Sequence, residues 1–371
     1  MRAVRGLALC FVLKFVIVTV VSCGSAPGGN LFNLRLKSSL VEAKGAVPSP
    51  RSSHVMCAVG SSLYVFGGES KPRTPIDNVM YKFDILNEVW EAVSSADDEN
   101  APSPRLAACG AAVGQLLFIL GGQLSEEASI QMGSGASDEL FCFNTETLKW
   151  SKITDCKGTP PPPTTYATAC SHKGVFYVFG GCTTEGRSNH LYAFDVASST
   201  WSQLATPEGC RGRGGTSLVP CGKDKLAVVC GFAGEETNDV WLYDIPTGRW
   251  TELQVVGDWP KRSVMSVCSF PETPNLILSF GGEIDPSDKG HAGAGRFTDR
   301  AWLLDISAGA ATQCSLSGVV PEARGWTPGC SLKLVESRSG EAGRGSGLAI
   351  FGGNSLSNAR LGDFFLLSLS A

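Results

Sequence analysis

The chain has 371 residues, 44 of them glycine, and only 18% are charged, the balance of a turn-rich β protein rather than a helical one. A formal charge of −4 with no basic block excludes nucleic-acid binding by phosphate neutralisation.

In chain order, Arg2 and Arg5 precede an apolar run broken only by Lys14, and small residues follow at Ser22, Gly24 and Ser25. A basic start, an apolar centre and a small-residue end make a signal peptide. The run is only just short of the ~20 residues of a membrane span, so residues 1–25 are expected to be a signal peptide or a membrane anchor. Either would send the chain to the secretory pathway, with that segment as its one membrane contact. Without a working leader the chain would be cytoplasmic. Leu31–Lys37 then alternates Phe32, Leu34 and Leu36 with Asn33, Arg35 and Lys37, the period of a half-buried strand.

From there the sequence repeats. Leu63–Gly68, Leu117–Gly122, Phe176–Gly181, Leu226–Gly231, Ile277–Gly282 and Leu348–Gly353 are apolar runs ending in Gly-Gly, or Cys-Gly at 230–231. A second run follows, ending at Asp84, Asn144, Asp195, Asp244 or Asp305, with Trp90, Trp150, Trp201 or Trp250 six residues on and Ala311 in place of the fifth Trp. Ahead of each glycine pair lies a P-x-x-R-like start carrying Arg51, Arg105, Arg213, Arg262 or Arg324, with Thr164 at the third. Short runs of Val, Phe, Tyr and Leu between Gly and Pro are strands. The glycine pair marks a close backbone approach, and the Trp is an apolar wedge between neighbouring sheets.

These motifs resemble the kelch family, and six matches near its ~50-residue period make the resemblance specific. It implies an all-β, six-bladed kelch β-propeller over 26–371, with blades starting near 48, 102, 161, 210, 259 and 321. Ser368 falls at the acid position of blade six, so the chain stops before a last outer strand. Leu31–Lys37 is expected to supply it and leave no open edge. Cys57, Cys170, Cys268 and Cys330 share one repeat position on the inner strands, which favours buried thiols acting as small hydrophobes.

Strands within a blade alternate in direction, so the P-x-x-R starts and the loops after the glycine pairs share one face. Two readings of Arg51, Arg105, Arg213, Arg262 and Arg324 are open. They bond neighbouring loop carbonyls, or they line a cationic face for an anion.

The loop of blade five, "GGEIDPSDKGHAGAG", reaches that face. It resembles the metal loop of plant nitrile-specifier and epithiospecifier proteins, kelch propellers with Glu-x3-Asp-x3-His and an iron(II)-dependent activity. The resemblance implies Glu283, Asp288 and His291 as metal ligands with Asp285 in reserve, and Arg105 and Trp326 at a catalytic hollow. The spacing here departs from that pattern, and Thr164 replaces an arginine. A loop ordered by Asp turns at "DPSD" is the alternative. The leading expectation is therefore a monomeric, non-catalytic kelch binding module that takes a protein or a small anionic ligand on the arginine face. The alternative is an iron(II)-dependent lyase similar to the specifier proteins.

Overall fold

In a computed structural model of the protein, the described residues are 35–42, 44–126, 135–290, 293–334 and 345–369. The leader expected at residues 1–25 lies outside them. Among the described residues no helix is long and apolar enough to cross a membrane.

Each repeat folds as a four-stranded antiparallel sheet. The first uses Val55–Val59, Ser62–Phe66, Met80–Asp84 and Val89–Ala92, paired in chain order. The inner strands of the next four sheets are Cys109–Val113, Thr168–His172, Ser217–Cys221 and Ser266–Phe270. The last sheet combines Gly329–Leu334, Gly345–Ser355 and Arg360–Leu369 with the N-terminal strand Arg35–Leu40. Of the expected strand Leu31–Lys37, residues 31–34 lie outside the described residues and 35–37 are in this strand. Its alternation holds, with Leu36 fully buried and Arg35 and Lys37 exposed. Its second edge pairs in parallel with 315–318 of the blade-five outer strand, so two blades share one continuous sheet. An edge that would otherwise template a foreign strand is thereby closed twice.

Two rings of backbone hydrogen bonds run around the axis. In the first, the amides of Gly68, Gly122, Gly181, Gly231, Gly282 and Gly353 donate to the carbonyls of Arg105, Thr164, Arg213, Arg262, Arg324 and Arg51 of the following blade, at 2.8–2.9 Å. The glycine before each donor sits at positive φ, and at Gly67 a Cβ would lie 2.6 Å from the Arg105 carbonyl oxygen. A side chain at Gly67 would force the backbone to shift, which explains the preference for a glycine pair. Cys230 occupies the same place in blade four at φ 54°. Because the ring uses the backbone, Thr164 fits where the other blades have arginine.

The second ring lies two residues after each arginine position. The amides of Ser53, Ala107, Tyr166, Gly215, Val264 and Trp326 each donate to the equivalent carbonyl of a neighbouring blade and close on Trp326, at 2.8–3.2 Å. All six are left-handed, including Tyr166 and Trp326 at φ 57°. Such strain costs ~1–3 kcal/mol at a bulky residue, and the ring offsets it.

The tryptophans wedge the blades as expected. Trp90 packs on Phe351 and Phe364 of blade six, at 5.2 and 6.0 Å between ring centroids, and Trp150 packs on Phe66 of blade one at 5.1 Å. Truncating Trp90, 1% exposed, to alanine is expected to cost ~3–5 kcal/mol. Where blade five has Ala311, Trp259 and Trp302 join the same core cluster.

Candidate functional site

The signature arginines do not line an open face. All five are at most 1% exposed. Arg51, Arg105, Arg213 and Arg324 donate Nε to the carbonyl two residues back and Nη1 to the carbonyl ahead of the second glycine of the pair. Their Nη2 groups meet Asp77 at 2.8 Å, Glu139 at 3.0 Å, Asp239 at 2.7 Å and Asp363 at 2.8 Å. Among the described residues no acid is hydrogen-bonded to Arg262; its guanidinium lies over Trp302 and Trp259, 4.0 and 5.1 Å from their ring centroids. All five are buried structural cations, four of them paired with acids, although the Nε of Arg262 has no hydrogen-bond partner; the cationic-rim reading is corrected. Arg105, expected at a catalytic hollow, is held by Glu139. The sequence hides this because the partner acid lies 26 to 39 residues further along the chain.

The open feature of the molecule is on the axis. A cavity of about 650 Å³ is lined by the inner strands of all six repeats. Ring residues Ser53, Tyr166, Val264 and Trp326 line its end on the P-x-x-R face. There Tyr166 and Trp326, from blades three and six, meet edge to face with ring centroids 5.6 Å apart. Burial and the Glu69 charge push the Tyr166 hydroxyl pKa well up. Trp326 and Tyr166 both line this cavity, and Tyr166 is the residue sequence reasoning missed. Its signal was present: it stands two residues after Thr164, as Trp326 stands two after Arg324.

Each blade contributes one cysteine to the wall: Cys57, Cys109, Cys170, Cys221, Cys268 and Cys330. All are free. Burial raises every one of these thiols, Cys57, Cys109 and Cys221 to about 12, so they stay protonated and unreactive. His54 is pushed down to about 3, first by burial and then by Arg51, and is neutral. At the far end, His172 Nε2 lies 3.1 Å from Asp224 Oδ1, which also pairs with Lys173.

Of the expected metal ligands in the blade-five loop, Glu283 and Asp288 are among the described residues. Glu283 is buried, and the amides of Gly295 and Ser287 engage its carboxylate. Burial raises Glu283 to about 7, with Asp285 adding to the shift. Asp288 is exposed. His291 lies outside the described residues. Among the described residues no group of three His, Cys, Asp or Glu side chains is placed to hold a metal ion.

Residues that follow the glycine pairs meet the next blade in turn. At the junction of blades six and one, Arg360 Nη2 pairs with Glu69 Oε1 at 3.0 Å, both nearly fully buried. Between blades three and four, the Arg187 guanidinium lies 4.7 Å from the Phe232 ring centroid. Between blades four and five, Glu236 faces Glu283. Neither Glu236 oxygen makes a hydrogen bond of good geometry, and the Ser263 hydroxyl is the donor nearby. Burial raises its pKa to about 8; the nearby Ser263 hydroxyl opposes this, and Glu283 and Asp285 add to it.

Six repeated sheets around an aromatic-mouthed axial cavity define a repeat-built propeller. The family model "KLHDC2/KLHL20/DRC7 Kelch-repeats domain" matches residues 31–154 and 130–282, and the chain belongs to the kelch-repeat family. It is 28% identical to the N-(sulfonatooxy)prop-2-enimidothioate sulfolyase of Thlaspi arvense, over 89% of this chain and 96% of that protein. It is 24% identical to human Kelch domain-containing protein 1, over 67% of this chain and 66% of that protein. Among solved structures, YjhT superimposes with a TM-score of 0.65 at 17% identity, covering 88% of this chain and 99% of that one; at that identity the likeness is one of fold.

Proposed function

We propose that the protein is a kelch-repeat binding module whose ligand, a small molecule or a segment of a partner protein, enters the axial cavity between Tyr166 and Trp326. The observation that carries this reading is the cavity of about 650 Å³ with an aromatic pair at its mouth. Concave sites with aromatic walls are where ligands bury most of their surface, and rigid scaffolds carry function on such loops. A photo-crosslinking residue, p-benzoylphenylalanine, placed at Tyr166 should capture the ligand from an extract of the source cells. The same residue at Leu148, in the turn after Asn144 on the opposite face, should not. Equal capture from both positions, or none at Tyr166, contradicts the reading.

A second reading is a sulfolyase, supported by the near full-length match to the Thlaspi arvense protein and by Trp326 at the cavity. It predicts that purified protein with iron(II) speeds sulfate loss from N-(sulfonatooxy)prop-2-enimidothioate, and that Glu283→Gln abolishes the gain. A rate equal to buffer with iron(II) alone removes it.

A further inference from the structure

We infer that the axial cavity selects an uncharged, largely apolar small molecule and rejects anions and cations of the same shape. This rests on the reading of the cavity as the ligand site and names the class of ligand.

None of the described residues lining the cavity is Asp, Glu, Lys or Arg. Its walls are apolar residues, thiols and hydroxyls, with His54 and His172 as the two histidines. The thiols are protonated and His54 is neutral, as described above. Two wall hydroxyls are already turned to the protein: Ser171 Oγ donates to the Ala112 carbonyl and Ser269 Oγ to the Pro220 carbonyl. The signature arginines, which could have answered an anion, are bound to acids or aromatic rings behind the wall. At the far end, Asp224 is paired with both His172 and Lys173.

A charged ligand would therefore lose its hydration and meet no counter-charge, a large penalty inside a protein. An apolar ligand would displace water that the walls hold weakly, which is favourable. The aromatic pair at the mouth suits a flat body, which can lie against Tyr166 and Trp326 by offset or edge contact.

The test uses three probes with one body: 2-naphthol, naphthalene-2-sulfonate and 2-(aminomethyl)naphthalene, titrated into the full chain by calorimetry at neutral pH. The expected result is one site for 2-naphthol, with both charged probes weaker by about tenfold or more. Ser331→Asp, which puts a carboxylate on the wall, should weaken 2-naphthol and narrow its advantage over the ammonium probe. The wild-type series decides the matter even where that variant does not fold. Sulfonate binding as tight as that of 2-naphthol, and lost in Trp326→Ala, overturns the uncharged class but leaves the cavity as the ligand site. No binding of 2-naphthol overturns the inference, and the Tyr166 crosslink then judges the broader reading by itself.

Discussion

The junction of blades six and one and the junction of blades four and five occupy equivalent places and hold opposite chemistry. One buries a guanidinium against a carboxylate, Arg360 with Glu69; the other sets Glu236 beside Glu283, with both pKa values raised. The backbone rings are the same at both. The propeller is therefore held by main-chain bonding and apolar wedges, and the side chains at this position are free to vary. Burial of a charge is harmless where its partner is built in. Where the neighbour has the same sign, the carboxyl answers by keeping its proton.

Breaking the matched junction should have the largest effect. Glu69→Ala strands a buried Arg360, which costs ~3–5 kcal/mol in such settings; Glu69→Met with Arg360→Met should recover much of it. Denaturant unfolding of the single and double variants checks this. A single variant as stable as wild type would show that the pair is not buried in solution.

The mismatched junction should respond in the other direction and depend on pH. The folded-state pKa of Glu236, about 8, lies above its ordinary 4.5. Between those values the folded state binds more protons than the unfolded state, so wild type loses stability as pH rises from about 4.5 through about 8. Glu236→Gln removes the Glu236 share of that slope and leaves the share of Glu283, whose pKa burial also raises, to about 7. The variant should match wild type near pH 4 and exceed it by roughly 1–3 kcal/mol at pH 9, measured by denaturant unfolding across the range. A parallel pH slope in both proteins contradicts the assignment.

The smallest effect belongs to the third junction. Arg187 is exposed, so its contact with Phe232 is worth only ~0.5–1 kcal/mol. Arg187→Ala should lower stability by no more than that and leave the pH slope unchanged.

Much of this fold was legible because its period is written in residue types with one physical use each. Glycine pairs mark backbone contact, Trp90, Trp150 and Trp201 mark wedges, and Leu36 marks the closing strand. The arginines misled for a definite reason. A cationic face stayed open for Arg51 and Arg213 because nothing in the spacing shows that Asp77 and Asp239, 26 residues downstream in each case, fold back onto them. Glu236 and Tyr166 were missed because their meaning lies in neighbours one or three blades away. The Glu283 loop could be placed on its face but not given a metal, since convergence of side chains depends on a path that spacing does not determine.

The central claim is that the ligand sits on the axis, behind Tyr166 and Trp326, and not among the arginines. A crystal of the full chain soaked with 6-bromo-2-naphthol and measured at the bromine edge tests it most directly. The account predicts one strong anomalous peak inside the ring of inner strands, between the Tyr166–Trp326 pair and the level of Cys268 and Cys330. A peak beside Arg51, Arg105, Arg213, Arg262 or Arg324, or none on the axis at saturating probe, would contradict it.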